Sequence, residues 1–402
     1  MPSRSGSATS RSRWHDPRWL APLVMQAQSG SAFLRVDMYQ AALANCFAMS
    51  RYIRSGYAAP PGYSVVAHSL YPLVMTGDTE RTQRLLQSAA RLNELIPDPV
   101  YTPRSENVAT FAIHPWLMHR RRAIAPAQRI AEALREVGDR EYDVYAHFLE
   151  LAYLALAGDP VAEVERRMDQ LAEAVKRSGI LYQEPEVVNK AYRLLLFFDP
   201  HTLDRQLAES DAWIDAHPSS AEAYVRTCWL MVLCIFERHD LAFAQSEALG
   251  ERLFRIAPLV HVADHTFYRG IAAAALAEGA PRHRATRNRR VLHHSLRLLQ
   301  RWARNGPNFV HMALLLEAER ARLRGRHGVA RLAYERAAEQ ARQQQFPHHA
   351  ALAHERRAGM LGELRRETEA SAALESAAGL YHEWGAAAKV AQIAQRLRET
   401  AS

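Results

Sequence analysis

The sequence predicts an all-α protein built from helix hairpins, and three observations predict it. Alanine, leucine, glutamate and arginine dominate, whereas Val, Ile and Thr clusters at strand spacing are scarce. Apolar residues return at i, i+3, i+4 and i+7 through segment after segment, with short Gly, Pro or Asp punctuation between them. One joint also recurs: Gly77-Asp78, Gly158-Asp159 and Gly325, with a looser copy around His239-Asp240. Glycine takes the left-handed backbone that closes a helix, so a tight turn there sends the chain back antiparallel. Pro160 then opens the next helix, where its missing N–H costs nothing.

Beyond the joint, small and large residues are spaced as a close helix pair requires. Ala330, Tyr334 and Ala337 share their internal spacing with Ala370, Leu374 and Ala377. The small residues let helices approach, and the large one between them fills the groove. This is the second-helix pattern of a tetratricopeptide-like hairpin. The two copies lie 40 residues apart, from 330 to 370. The repeats are therefore irregular, with helices longer than in the standard unit of about 34 residues.

Taken in order, residues 1–13 are Ser, Arg and Gly with nothing to bury and read as a disordered tail. Helices are expected over 31–54, 62–76 and 78–95, and PDPVYTPRSEN (97–107) reads as a loop. Helical periodicity then covers 108–137, 140–157, 160–178, 185–197, 200–215, 218–237, 240–256 and 262–278. It continues over 287–304, 308–324, 327–344, 348–362, 366–383 and 386–399. No composition break divides 14–399, and a hairpin alone cannot bury its apolar stripe. The expected architecture is one α-solenoid, a superhelix of stacked hairpins. At its end, GLYHEWGAAAKVAQIAQRL reads structurally: Tyr381 and Trp384 cover the last groove, Gly385 turns, and a helix over about 386–399 caps the stack.

Catalytic signatures are missing from the sequence. It contains no GxxxxGK[ST] phosphate loop, no GxSxG elbow and no protein-kinase motif set. The expectation is a non-enzyme without cofactors. Of the 19 histidines, His261 and His265 in HVADH stand one helical turn apart and are the weak candidates for a metal. They lack the glutamate beside the leading histidine that a zincin uses, and no third ligand lies near in sequence. Cys46, Cys228 and Cys234 match neither a zinc knuckle nor a redox CxxC, and read as buried free thiols of a reducing compartment.

The net charge of +8 rests on arginine. Its densest run supplies a candidate basic contact surface: Arg282, Arg284, Arg287, Arg289 and Arg290. Phosphates reward such density, yet Trp302 is the only nearby ring, and Leu292, Leu296 and Leu299 form the apolar stripe of the same helix. Nucleic acid is accordingly the disfavoured partner, and the arginines read as the solvated face. The most apolar run, Cys228 to Phe236, is too short to span a bilayer, and MPSRSGSATSRSRW has no apolar segment of a signal peptide. The expectation is a cytoplasmic protein.

Three stretches in fixed order carry a family resemblance: RWARNGPNFVHMALLLEAERARLRG (301–325), AYERAAEQARQQQFPHHAALAHERRA (333–358) and AAGLYHEWGAAAKVAQI (377–393). FAIHPWLMHRRRAIAPAQRIAEALREVGDREY (111–142) and DHTFYRGIAAAAL (264–276) fit upstream. Together they resemble the closing tetratricopeptide-like region of large bacterial multidomain signalling proteins. In that family a serine/threonine kinase-like domain and an AAA-type ATPase come first, and GAF and sensor histidine kinase domains often follow. The family's motif positions fall on Trp302, Pro307, Asn308, Phe309, His311, Glu317, Ala318, Glu319, Arg322, Gly325, Trp384, Gly385, Ala386, Lys389 and Val390.

None of these positions is catalytic in the family, and the catalytic domains have no counterpart here. Arg356-Arg357 replaces a smooth stretch of the family pattern and suggests relaxed selection or an exposed helix end. The resemblance implies a non-catalytic protein–protein interaction scaffold or regulatory module, with a signalling kinase or ATPase as protein partner. The alternatives are an orphaned fragment of a multidomain regulator and a basic nucleic-acid-binding repeat. Self-association through exposed end helices stays open.

Overall fold

Every regular element among the described residues is helical, and none of those residues is in a strand. The computed structural model describes residues 38–55, 61–178, 190–217, 221–250 and 260–401, with Ala21, Met25 and Leu253 besides. The tail expected over 1–13 lies outside the described residues, as do the start of the helix expected from 31 and part of that expected over 185–197. No helix among the described residues is long and apolar enough to cross a membrane.

The first helices are α1 (Met38–Ser55), α2 (Pro61–Tyr71) and α3 (Thr79–Leu95). α2 runs on through a π-helical turn, Pro72–Thr76, to Gly77. Asp78 then caps α3 by accepting the Arg81 amide at 2.9 Å. Of the stretch expected as a loop, 97–100 is non-helical and the rest lies in α4 (Tyr101–Val108). Asp98 accepts the amides of Val100 and Tyr101 at 2.9 and 2.8 Å and so starts the helix. Pro103 falls in its first turn, where proline is tolerated.

The single helix expected over 108–137 is broken. A π-helical turn at Ala109–Ile113 leads to α5 (His114–Leu117), a 3-10 turn at Arg120–Ala123, and then α6 (Ile124–Glu136). α7 (Arg140–Ala157), α8 (Val161–Ser178), α9 (Pro200–Ala216), α10 (Ala221–Ile235) and α11 (His239–Leu249) follow. The last seven are α12 (His261–Leu276), α13 (Arg282–Trp302), α14 (Val310–Arg322), α15 (His327–Gln343), α16 (Pro347–Glu363), α17 (Glu367–Trp384) and α18 (Ala387–Ala401). The arginine run is thus helical from Arg282, a turn earlier than its periodicity indicates.

The chain gathers into two compact units. One takes the segments up to His114 and Ala125–His147; the other takes Pro115–Ile124, Phe148–Gly250 and the chain from Val260. In the first unit α2 packs on α1, α3 and α4. Tyr63 and Tyr142 join hydroxyls at 3.0 Å in its interior, and Arg104 pairs with Asp139 at 2.5 Å over the Tyr142 ring. In the second unit successive helices from α12 to α18 pack on one another. Gly270 of α12 has no side chain to hold Leu316 and Ser295 off, which lets α12 lie close to α14 and α13.

The joints share one construction. Gly138, Gly158, Glu237, Gly325, Gln345, Arg365 and Gly385 all have positive φ. At Gly325 the amide reaches Arg322 O at 2.9 Å, and the Arg326 amide reaches Ala321 O at 3.0 Å. The same pair of bonds closes the helices before Gln345, Arg365 and Gly385, which is the Schellman arrangement. The four positions 325, 345, 365 and 385 are spaced at 20 residues, as are Gly138 and Gly158. Ala330, Tyr334, Ala337, Ala370, Leu374 and Ala377 are all buried between these joints.

Candidate binding groove and the buried charges behind it

The helices α14 to α18 are tied together by charges that solvent does not reach. Glu319 on α14 is wholly buried. It accepts the Tyr334 hydroxyl of α15 at 2.9 Å and the Arg356 guanidinium of α16 at 2.6 and 3.1 Å. Arg322, one turn on, completes the set and reaches out to Glu278 at 2.7 Å and Glu363 at 3.3 Å. Burial pushes the Glu319 carboxyl up, but Arg356 and Arg322 outweigh it and hold it at about 2. Arg356 is therefore no sign of an exposed helix end. It is a partner of a buried carboxylate, and its neighbour Arg357 pairs with Glu335 at 3.0 Å.

A second cluster fixes the last helix. Lys389 of α18 is fully buried and donates to Glu355 of α16 at 2.5 Å. Glu355 also accepts the Tyr381 hydroxyl at 2.9 Å, and Arg396 bridges Glu355 and Glu237. Burial pushes the Glu355 carboxyl up and Lys389 offsets this in part. Trp384 is buried against His348, with ring centres 5.0 Å apart, and Gly385 has φ 86°. The Ala388 amide donates to Leu195 O at 3.1 Å.

The break near residue 118 has its cause in Asn308. Its amide nitrogen donates to Pro115 O and Met118 O at 2.7 and 2.8 Å, and its oxygen accepts the Arg120 amide at 3.1 Å. Phe309 and Trp302 pack on Trp116, each with ring centres 5.3 Å away. Arg120, fully buried, donates to both oxygens of Asp264 at 3.1 and 3.2 Å and to Leu156 O. Burial raises the Asp264 carboxyl and Arg120 partly offsets it.

Asp264 lies between the two metal candidates of the sequence. His261 and His265 are both buried, and burial lowers each to about 3. His265 Nδ1 lies 3.2 Å from the Thr227 hydroxyl. Among the described residues no three His, Cys, Asp or Glu side chains gather as a metal-holding group. A histidine relay that the sequence reading missed runs nearby: His311 Nε2 lies 2.7 Å from His349 Nδ1, and His349 Nε2 lies 3.0 Å from the Tyr268 hydroxyl. Cys228 and Cys234 are buried, and burial pushes both thiols up; Cys46 is exposed, contrary to expectation.

Two charged surfaces face outward on the second unit. Between α15, α16 and α17 opens a cavity of about 500 Å³. Glu335, Glu339, Glu375 and Glu383 line it over a floor that includes Ala338, Ala350 and Gly379, with Arg342 and His354 as the basic groups. Glu375 and Glu383 are exposed and have no ion pair among the described residues. The other surface is the arginine helix. Arg282, Arg284, Arg289 and Arg290 are exposed, as is Arg297, and among the described residues only Arg287 of the predicted contact residues is paired, with Glu247. The cavity is lined by glutamates, and none of the five predicted arginines lines it.

No family model matches the chain, and no curated protein matches it.

Proposed function

We propose that the chain is a non-catalytic, tetratricopeptide-like helical scaffold whose groove across α15, α16 and α17 docks a protein segment. The observation that carries this reading is the groove itself: an open cavity lined by small residues and four glutamates, of which Glu375 and Glu383 have no ion pair among the described residues. Stacked hairpins recognise partners through side chains presented by successive helices. The recurrence of one joint at 20-residue intervals supports a stacked arrangement. Buried carboxylates and histidines nearby are engaged with other protein groups, which suits structural roles. The rim calls for a cationic, extended segment. On the family resemblance, that segment would belong to a signalling kinase or ATPase.

The test uses a fluorescein-labelled oligo-arginine peptide, with an oligo-glutamate peptide as control, titrated against the full chain by anisotropy. Saturable binding of the cationic peptide, weakened at least about tenfold by the double change Glu375→Lys and Glu383→Lys with the helical circular dichroism intact, is the expected result. Equal binding by the variant would remove the groove from consideration.

A further inference from the structure

The groove and the arginine helix are charge complements that leave each other unused within one molecule. On α17, Glu375 and Glu383 are eight residues apart, about 12 Å along a helix. On α13, Arg289 and Arg290 precede Arg297 by eight and seven residues, about 11–12 Å. Arg282 continues the same spacing toward the helix start. The two rows therefore have the same pitch and opposite sign. Glu339 opposes the α17 pair across the groove and accepts the Gln343 amide, and no cation pairs with it among the described residues. Among the described residues, Glu247 meets α13 through Arg287, and Arg269 of α12 shares that carboxylate.

Resting on the reading of the groove as a docking site, we infer that its occupant is a second copy of this chain, which seats the arginine ridge of its α13 between α15 and α17. Donor and acceptor surfaces lie on different helices, so the contact is heterologous. It joins copies head to tail and either closes a ring or continues as a chain. Guanidinium groups suit the rim because each can present two parallel donors to a carboxylate. A contact made of exposed charges weakens with salt, which screens such pairs beyond about 3 Å at 1 M and about 10 Å at 0.1 M.

Sedimentation of the full chain tests this in about 50 mM and about 500 mM salt. Association at low salt and monomers at high salt are expected. The pair Glu375→Lys and Glu383→Lys, and separately the pair Arg289→Glu and Arg290→Glu, should each leave a monomer at low salt. Mixing the two variants should restore association, because one keeps the ridge and the other keeps the groove. Circular dichroism establishes that both variants fold. A monomeric wild type at low salt overturns the inference, as does a mixture that fails to associate. If that monomer still binds oligo-arginine through Glu375 and Glu383, the groove reading survives and only the second copy is lost. Retention of poly(U) by the ridge, without self-association, would overturn the inference in favour of nucleic acid.

Discussion

Glu319 on α14 and Arg356 on α16 meet at 2.6 Å, with the carboxylate wholly shielded from water. Tyr334 of α15 closes on the same carboxylate, so one side chain links three consecutive helices. A buried ion pair adds little stability over an apolar replacement, yet removing one partner strands the other charge. Glu319→Gln strands Arg356, while Arg322 keeps Glu278 and Glu363, and we expect it to cost about 3–5 kcal/mol in urea unfolding. Arg356→Met alone should also destabilise. The double variant should lose clearly less than the sum of the two, because the charge each leaves behind is gone. Strict additivity would show that the two residues do not act as a pair.

Acid should destabilise the protein through its buried histidines before Glu319 titrates. Burial lowers His261, His265 and His348 to about 3, and His311 and His349 fall well below the ordinary value. Their folded pKa lies below the unfolded value of about 6.5, so the unfolded chain binds more protons between the two. Stability is therefore full above about pH 6.5 and falls as pH drops toward the folded values, with a limiting slope of about 1.4 kcal/mol per pH unit for a single histidine such as His265. Glu319 works in a different window: its contribution is present above the unfolded carboxyl value of about 4.3 and is lost as pH falls toward about 2. Urea midpoints at pH 7, 6 and 5 should drop steeply. A His265→Asn variant should show a shallower slope, and a flat profile from pH 7 to 5 would refute the account.

Much of the helical order was legible because it rests on period and punctuation. Gly77, Gly158, Gly325 and Gly385 mark joints by composition, and all four have positive φ. Gln345 and Arg365 make the same turn with no such mark, so half of the joints in the last third were visible only as breaks in apolar period. The buried charges were harder to read. Arg120 stands in a run of three arginines that looks solvated, and its acid, Asp264, is 144 residues away. Glu319, Arg322 and Lys389 stood out through the family resemblance, but their pairing depends on how α14, α16 and α18 pack. The groove has no sequence signal, because its glutamates come from two helices and matter only once α16 lies between them.

Gly158 should tolerate substitution far less than Gly325. Both have positive φ, 77° and 70°. A Cβ at Gly325 would meet nothing within 4 Å, whereas one at Gly158 would overlap the His348 ring. Gly325→Ala should cost about 1–2 kcal/mol, the penalty of a left-handed alanine. Gly158→Ala should add about 1–3 kcal/mol of overpacking against a ring already wedged between His349 and Trp384. Comparison of the two urea midpoints checks this. Equal losses would mean that His348 moves aside freely.

The joints at Gln345 and Arg365 predict the opposite sign. Each has φ 57°, a conformation that disfavours residues with a Cβ. The left-handed backbone costs such a residue about 1–2 kcal/mol, while glycine adds about 0.5–1 kcal/mol of unfolded-chain entropy. Arg365 is exposed and its side chain has no ion pair among the described residues, so little else is lost on replacement. Arg365→Gly should therefore stabilise the chain by about 0.5–1 kcal/mol. Gln345→Gly should do the same, since the contact made there by Arg121 is to the backbone carbonyl. A lower urea midpoint for both variants would mean that the side chains, rather than the Schellman bonds, hold these turns.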